Sequence, residues 1–314
     1  MGILKILVPN HMQGERIDAV LSEMLPDYSR SKISLWIKSG DALINNKTFK
    51  PKDKANGSET VCLTLNEKQN TDWTAEEIPL NVVYEDEDII VINKQFGLVT
   101  HPGAGNWSGT LANALLYYDP ALSKLDRAGI VHRLDKNTSG LMVIARNEKS
   151  QKYLVEQLQN HSVDREYSAI VYGHMIAGGT VDEPIGRDPK DRVKQAVSTS
   201  GKGATTHYRA IDRFKSHTHV KAILETGRTH QIRVHLSYVG HSLIGDPMYG
   251  GRVRFPKKAS EELKDALLNF KRQALHSKKL TLTHPVSGEL MSWKAPLPDD
   301  MLKLLNHLNK FDTP

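Results

Sequence analysis

The sequence predicts an α+β fold, and three observations carry that reading. From Asn81 onward, strand-like apolar runs recur with helical stretches between them, without the strict strand–helix alternation of a doubly wound sheet. Residues 13–65 form a separate compact block of two helical patterns followed by strand. Between the two lies a polar stretch, 66–80, with little apolar periodicity. The expected organisation is a small N-terminal domain over 1–72, a linker over 73–80 and a larger domain over 81–314. No internal repeat at solenoid periods is present.

In the first block, Gly14-Glu-Arg-Ile-Asp18 leads into a helical pattern with Ile17, Val20, Leu21 and Leu25 on one face. Pro26-Asp-Tyr-Ser29 interrupts it. Ser29 reads as the N-cap of a second helix with apolar members Ile33, Leu35, Trp36 and Ile37, and with Arg30, Lys32 and Lys38 along it. Asp41-Ala-Leu-Ile-Asn-Asn-Lys47 reads as strand, Asn-Asn turn, strand. In the larger domain, the runs 88–93, 141–145, 167–172 and 220–224 read as strands. Asn147 is placed to cap a helix through Tyr153, Leu154 and Leu158, and 261–270 forms another. Met301, Leu304, Leu305 and Leu308, at i, i+3, i+4 and i+7, mark a last amphipathic helix.

With 39% hydrophobic and 25% charged residues among 314, the composition is that of a folded chain rather than a disordered one. The net charge of +6 points to a polyanionic partner. Cys62 is the single cysteine, which excludes an intramolecular disulfide and a cysteine-based zinc site; lying between Val61, Leu63 and Leu65, it reads as core. No apolar run is long enough to span a bilayer. The N-terminus lacks a signal-peptide pattern, and Ile6 stands where a myristoylation signal needs Ser or Thr, so a cytoplasmic location is expected. No metal or nucleotide cofactor is expected. His-Glu-x-x-His and Gly-x-Gly-x-x-Gly are absent, Gly201-Lys-Gly-Ala-Thr-Thr206 lacks phosphate-loop spacing, and His230 and His235 do not share a helical face.

Four motifs carry the chemistry. In Gly129-Ile-Val-His-Arg-Leu-Asp135-Lys-Asn-Thr-Ser-Gly140, a carboxylate follows an arginine and an apolar residue, and a turn and a buried strand come next. Asp135 is therefore either an ionised acid presented at the mouth of a rigid sheet or an ordinary turn residue bonding its own loop. In Thr226-Gly-Arg228-Thr-His230-Gln231-Ile-Arg233-Val-His235, Gly227 turns after a strand and Thr229 caps a helix bringing His230, Arg233 and Val234 within one turn. Ile232, Val234 and Leu236 make that helix half-buried, and a partly buried Arg233 needs a carboxylate, for which Asp135 is the natural partner. Arg165-Glu-Tyr167-Ser-Ala-Ile-Val-Tyr172-Gly173 alternates as a strand, with Tyr167, Ala169 and Val171 on one face; Tyr167 is either a core aromatic or a site residue. In the irregular loop 93–103, Lys94 and His101 either meet phosphate or are simply solvated.

Taken in order, these motifs resemble those of the RluA-type pseudouridine synthases, whose signature His-Arg-Leu-Asp-x-x-Thr-Ser/Thr-Gly is matched from His132 to Gly140. The Gly-Arg-Thr-His-Gln-Ile-Arg-Val-His string, the Arg-Glu-Tyr strand and the His-Pro-Gly-Ala-Gly loop resemble the same family. The N-terminal block resembles the small RNA-binding domain first seen in the ribosomal S-four protein. That domain order, with Tyr84-Glu-Asp-Glu-Asp-Ile-Ile-Val-Ile-Asn93 and Gly245-Asp-Pro-Met-Tyr-Gly-Gly251, is most similar to the RluD branch. One departure is Gln95, where the family usually carries proline.

The resemblance implies a catalytic domain built on a mixed, largely antiparallel central sheet, and a small N-terminal α/β RNA-binding domain. It implies an isomerase that converts uridines of 23S large-subunit rRNA, in the helix 69 stem-loop, without cofactor. Asp135 is then the nucleophile or its equivalent, attacking ring or sugar. Tyr167 lies against the target ring as a late general base, Arg233 pairs with Asp135, and Arg133 fills the gap left by the flipped uridine. The expected RNA contacts are Arg228, His230, Gln231, Lys94 and His101 in the larger domain, and Arg30 and Lys32 in the smaller. The implied partner is large-subunit rRNA or a ribosomal precursor particle, met by a monomer. Two other readings compete: a ribosome assembly factor whose catalysis is dispensable, and a carboxylate-dependent glycoside hydrolase, which lacks the second acid such enzymes need.

Overall fold

The computed structural model of the chain describes residues 2–25, 28, 30–65, 73–103, 105–191 and 193–313. The N-terminal part forms its own sheet and core. Strands β1 (Gly2–Leu7), β2 (Ala42–Ile44) and β3 (Thr60–Leu65) pair antiparallel in the order β1-β3-β2, with helices α1 (Ile17–Met24) and α2 (Arg30–Ser39) packed on them. Ile17, Val20 and Leu21 of α1 meet Ile33, Trp36 and Ile37 of α2 over Val61 and Leu63.

Leu35 does not join this core; it lies on the exposed face of α2, because helical spacing sends a residue two past Ile33 away from the buried stripe. Cys62 is half-buried rather than core, since strand alternation turns it away from Val61 and Leu63. Asn45 and Asn46 both adopt positive φ (47° and 65°), the conformation a tight Asn-Asn hairpin requires. The expected second strand there is reduced to a single Ile44–Lys47 bridge. Ser29, the side chain of Lys32 and residues 66–72 lie outside the described residues. Residues 73–80 form no helix or strand, and Trp73, Ile78 and Leu80 pack against the core of the larger part.

That larger part is built on a nine-stranded sheet. Its strands are β4 (Val82–Glu85), β5 (Ile89–Lys94), β6 (Ser139–Ala145), β7 (Asp164–Tyr172), β8 (Gly179–Asp182), β11 (Thr205–Arg213), β12 (His217–Leu224), β13 (Leu275–Thr283) and β14 (Leu290–Lys294). A separate antiparallel pair is formed by β9 (Ile185–Arg187) and β10 (Gln195–Val197). The helices are α3 (Leu111–Tyr118), α4 (Glu148–Gln159), α5 (Gln231–Tyr238), α6 (Glu261–Asn269) and α7 (Asp299–Phe311). The sheet order is β4-β5-β6-β13-β7-β12-β11-β8, with β14 on β13. Every pairing is antiparallel except β13 with β6. The expected mixed, largely antiparallel sheet is thus present.

Alternation along the strands gives the sheet two buried faces. Ile90, Met142, Tyr167, Ala169 and Ala222 pack with α3 and α5 on one face. On the other, Ile170 and Tyr172 meet α6 and α7, and Val91, Leu141 and Val143 meet Leu154 of α4. The expected caps and stripes are found: Asn147 accepts from Ser150 N at the start of α4, and Met301, Leu304, Leu305 and Leu308 are the buried stripe of α7.

Candidate active site

The last strand to join the sheet's centre, β13, separates β6 from β7. Its Ser277 sits in register with Gly140 of β6 on one side and Tyr167 of β7 on the other, and Ala222 of β12 pairs Tyr167 beyond. Gly140 allows this approach. A Cβ there would lie 2.3 Å from Ser277 O and 2.5 Å from Ser277 N, and its φ is +114°. The loop carrying Asp135 and the strand carrying Tyr167 are thereby held on either side of one backbone position.

The Asp135 loop is tied down by its backbone. Thr138 N donates to Asp135 O at 3.0 Å, Thr100 Oγ1 to Leu134 O at 2.7 Å, and Gly97 N to Lys136 O at 2.8 Å. The main chain therefore closes the turn, and the carboxylate is left to face elsewhere. Asp135 Oδ2 accepts from Arg233 Nη1 at 2.8 Å, and both side chains line a cleft of about 490 Å³.

Arg233 is buried on α5 and divided between two carboxylates. Its Nε and Nη2 donate to Asp246 at 2.8 and 2.9 Å, and its guanidinium lies 5.0 Å from the Tyr249 ring centroid. Burial alone would lower its pKa; the hydrogen bonds and charges of Asp246 and Asp135 outweigh that and raise it, so the cation is permanent. For Asp246, burial opposes ionisation, but Arg233 and the backbone N–H groups of Tyr249 and Met248 hold its pKa below the usual carboxylate value. Asp246 lies in the Gly245-Asp-Pro-Met-Tyr-Gly-Gly251 string, whose acid was not read as a site residue; a charge in a Gly-Pro turn was the available signal.

Tyr167 reaches the same cleft from β7 and is buried. Burial raises its pKa, partly opposed by Arg165 and Ser277 and reinforced by Asp135, so it is a neutral phenol. Arg133 and Arg228 are exposed at the cleft rim, where Arg228 Nε donates to Gly203 O at 3.0 Å. Arg127, which sequence reading missed, lines the cleft from a turn in which Arg127 and Ala128 both have φ of 53°.

Several expected contacts need correction. Lys94 is almost wholly buried; its Nζ donates to the carbonyls of Gln95 and Leu98 at 2.9 Å and of Lys136 at 3.3 Å. Its three N–H groups match three carbonyls, so it braces the Asp135 loop from behind and offers nothing to phosphate; burial pulls its pKa down to about 7. Gln231 is likewise a bracket. Its Oε1 accepts from Thr226 Oγ1 and Arg228 N, and its Nε2 donates to Thr205 O and Thr206 Oγ1, leaving no amide group for RNA. Thr229 is not the cap of α5. His230 occupies that position in a left-handed conformation (φ 58°) and makes no side-chain cap. His101 lines the cleft half-buried, and burial pushes its pKa down to about 4, so it presents a neutral ring rather than a cation there. Arg30 is half-exposed and donates to Asp18 at 2.8 Å.

Among the described residues, one group of acids and histidine has metal-ligand spacing: Asp86, Asp88 and His284. It does not fit a metal. His284 Nδ1 accepts from the backbone of Val286 and Ser287, which places its proton on Nε2, and Nε2 donates to Asp86 Oδ2 at 3.0 Å. Asp88 Oδ1 is taken by Asn147 and Ser150. No helix among the described residues is long and apolar enough to cross a membrane.

Residues 88–238 match the family model described as RNA pseudouridylate synthase. The chain is 51% identical over 309 residues to ribosomal large subunit pseudouridine synthase D of Xanthomonas campestris pv. campestris, covering 98% of this chain and 93% of that one. It is 52% identical over 303 residues to the protein of the same name from Escherichia coli strain K12, covering 96% and 93%. Among solved structures, human RNA pseudouridylate synthase domain containing 4 superposes with a TM-score of 0.56 at 26% identity, over 73% of this chain and 93% of that one. The motifs around Asp135, Tyr167 and Arg233, the sheet that assembles them and these relatives agree: the chain is an enzyme of the RNA pseudouridine synthase family, grouping with the ribosomal large subunit pseudouridine synthases D.

Proposed function

We propose that the protein isomerises uridines of large-subunit rRNA to pseudouridine, with the helix 69 stem-loop as substrate, free or within a ribosomal precursor particle. It works as a cytoplasmic monomer. The observation that carries this reading is Asp135 at the cleft, held against a buried arginine that a second buried carboxylate fixes from behind.

The reaction breaks the N1–C1′ bond, turns the uracil and joins C5 to C1′. N1 gains the proton that C5 loses, so atoms and electrons balance without oxidant, nucleotide or metal. Asp135 is the attacking carboxylate, at the ring or at the sugar, and Arg233 holds it in place through Oδ2. Tyr167 contacts the uracil and takes part in removing the C5 proton. The uridine must leave its stack, at about a few kcal/mol, less in a loop than in a duplex. Arg133, exposed at the rim, fills the gap, and Arg127, Arg228 and His101 line the RNA path. The net charge of +6 supports phosphate binding. Residues 1–72 act as an S-four-like RNA-binding domain joined by 73–80; their separate sheet and core, and Arg30, support that role as a second anchor.

The test is tritium release from C5-labelled uridine in a helix 69 RNA. Wild-type protein releases tritium, and Asp135→Asn binds the RNA but releases none. An intact protein that releases none ends the proposal, and a cell whose only copy is Asp135→Asn, with pseudouridine absent and ribosome assembly unchanged, would assign any remaining role to RNA binding.

A further inference from the structure

A chain of polar contacts runs through the wall of the cleft and ends beside Asp135. The backbone N–H of Gln195, at the start of β10, donates to the Tyr249 hydroxyl at 2.9 Å. That oxygen lies 2.8 Å from His230 Nδ1. His230 Nε2 lies 3.9 Å from Asp135 Oδ1, the oxygen left free when Arg233 Nη1 takes Oδ2.

The direction of each contact follows from the number of protons available. A phenol has one hydrogen, and with Gln195 N–H on its oxygen, the acceptor that this hydrogen meets among the described partners is His230 Nδ1. An imidazole that accepts at Nδ1 carries its proton on Nε2. The proton of His230 is therefore aimed at Asp135. The backbone points the same way: His230 is in the left-handed region, which side chains other than glycine's enter at a cost, and its ring is spent on Tyr249 rather than on capping α5. Tyr249 also packs edge-on against the ring, with centroids 5.7 Å apart, so the imidazole is fixed in plane as well as in tautomer.

We propose that His230 is a positioning residue for Asp135: a neutral imidazole, locked by the Tyr249 hydroxyl, whose Nε2–H is the second donor to the carboxylate and orients its free lone pair toward the substrate. This rests on the reading of Asp135 as the reacting carboxylate. At 3.9 Å the contact is open, as such contacts are before substrate binds, and it closes when RNA excludes water. With Arg233 on one oxygen and His230 on the other, the carboxylate plane is set at two points. The charged and titratable groups facing the ring are Asp135 and Asp246, which favour its protonation, and Arg233 and Arg133, which oppose it; burial is the largest influence, and the net result is a lowered pKa. Burial and the acceptor role of Nδ1 both favour the neutral imidazole.

Three measurements decide the proposal. ¹⁵N NMR of the His230 ring reads the tautomer without turnover: the expected spectrum has a bare Nδ1 and a protonated Nε2 in wild type, and a mixture in Tyr249→Phe. The opposite tautomer in wild type overturns the proposal, whether or not the enzyme is active on a given RNA. In single-turnover conversion of whichever uridine RNA the wild type modifies, His230→Asn, a residue that tolerates the left-handed backbone, lowers the rate about 10²-fold and leaves KM for RNA unchanged. A raised KM with an unchanged rate would make His230 an RNA contact and overturn the proposal. Tyr249→Phe, which keeps the ring packing, moves the acid limb of the kcat profile to higher pH, because the released Nδ1 becomes free to take a proton. Wild-type pH behaviour in Tyr249→Phe counts against the proposal even if His230→Asn does not fold.

Discussion

Asp246→Asn tests whether Arg233 is held from behind or only from the front. The Arg233 and Asp246 side chains are 5% and 0% exposed, and two hydrogen bonds of 2.8 and 2.9 Å join them. Asparagine keeps the shape and one oxygen, so the backbone bonds from Met248 and Tyr249 to Oδ1 survive. What it removes is the charge and one acceptor, and its amide N–H groups point at guanidinium N–H groups. Breaking a buried ion pair by removing one partner costs about 3–5 kcal/mol; because Asp135 stays on Nη1, the lower end, about 3 kcal/mol, applies. For a domain of this size that is a fall in Tm of about 6–12 °C. Arg233, no longer fixed at Nε and held by one bond at Nη2, carries Asp135 out of register, and a misplacement of this kind lowers the single-turnover rate about 10²-fold. Differential scanning calorimetry and single-turnover pseudouridine formation measure the two effects. An unchanged Tm with an unchanged rate would refute the reasoning, since it would mean that Asp135 alone holds the guanidinium.

Acid lability should follow from three imidazoles. Burial lowers the pKa values of His101, His132 and His276 to about 4, 3 and 4 from 6.5, so the stability they contribute is whole above pH 6.5 and drains as pH falls toward 4 and 3. Each contributes a slope of up to about 1.4 kcal/mol per pH unit, and calorimetry at pH 5.5 should record uptake of nearly three protons on unfolding; uptake well below one would contradict it. Gln231→Ala strips four hydrogen bonds from the 205–231 junction and leaves buried groups unpaired, so chemical denaturation should show a loss of about 2–4 kcal/mol, whereas an RNA contact would change binding and spare stability. Gly140→Ala forces a methyl into the Ser277 backbone and should yield protein that does not accumulate folded, read by the soluble fraction on expression.

The parts of the site carried by short local strings were legible in the sequence. Asp135 could be read because a carboxylate, a turn and a buried run are contiguous, and its pairing with Arg233 followed from the need of a half-buried cation for an anion. Asp246 was not legible as a partner: it stands 13 positions after Arg233 with no periodic relation, and only the turn at 245–251 brings it beneath the helix. Lys94 and Gln231 were misread for a common reason. Their polarity suggested a wet surface, but in the fold each meets a full set of partners within the protein, three carbonyls for Lys94 and two backbone groups plus two hydroxyls for Gln231, and sequence alone does not reveal which polar groups are spent this way. Thr229 was taken for a cap because the motif places the helix one residue early; the left-handed His230 delays it.

The strand order has a consequence for how the enzyme comes into being. Strands β6 and β7 are neighbours in the chain, yet each is completed by β13, which is translated more than a hundred residues later and wedges between them. A nascent chain that has left the ribosome only as far as α5 holds both Asp135 and Arg233 but has a gap where Ser277 belongs. Closure of so long-range a contact is slow and leaves apolar edges open in the meantime. Competence therefore arrives late, once β13 has emerged, and a product that stops before β13 lacks the strand that joins the Asp135 loop to Tyr167.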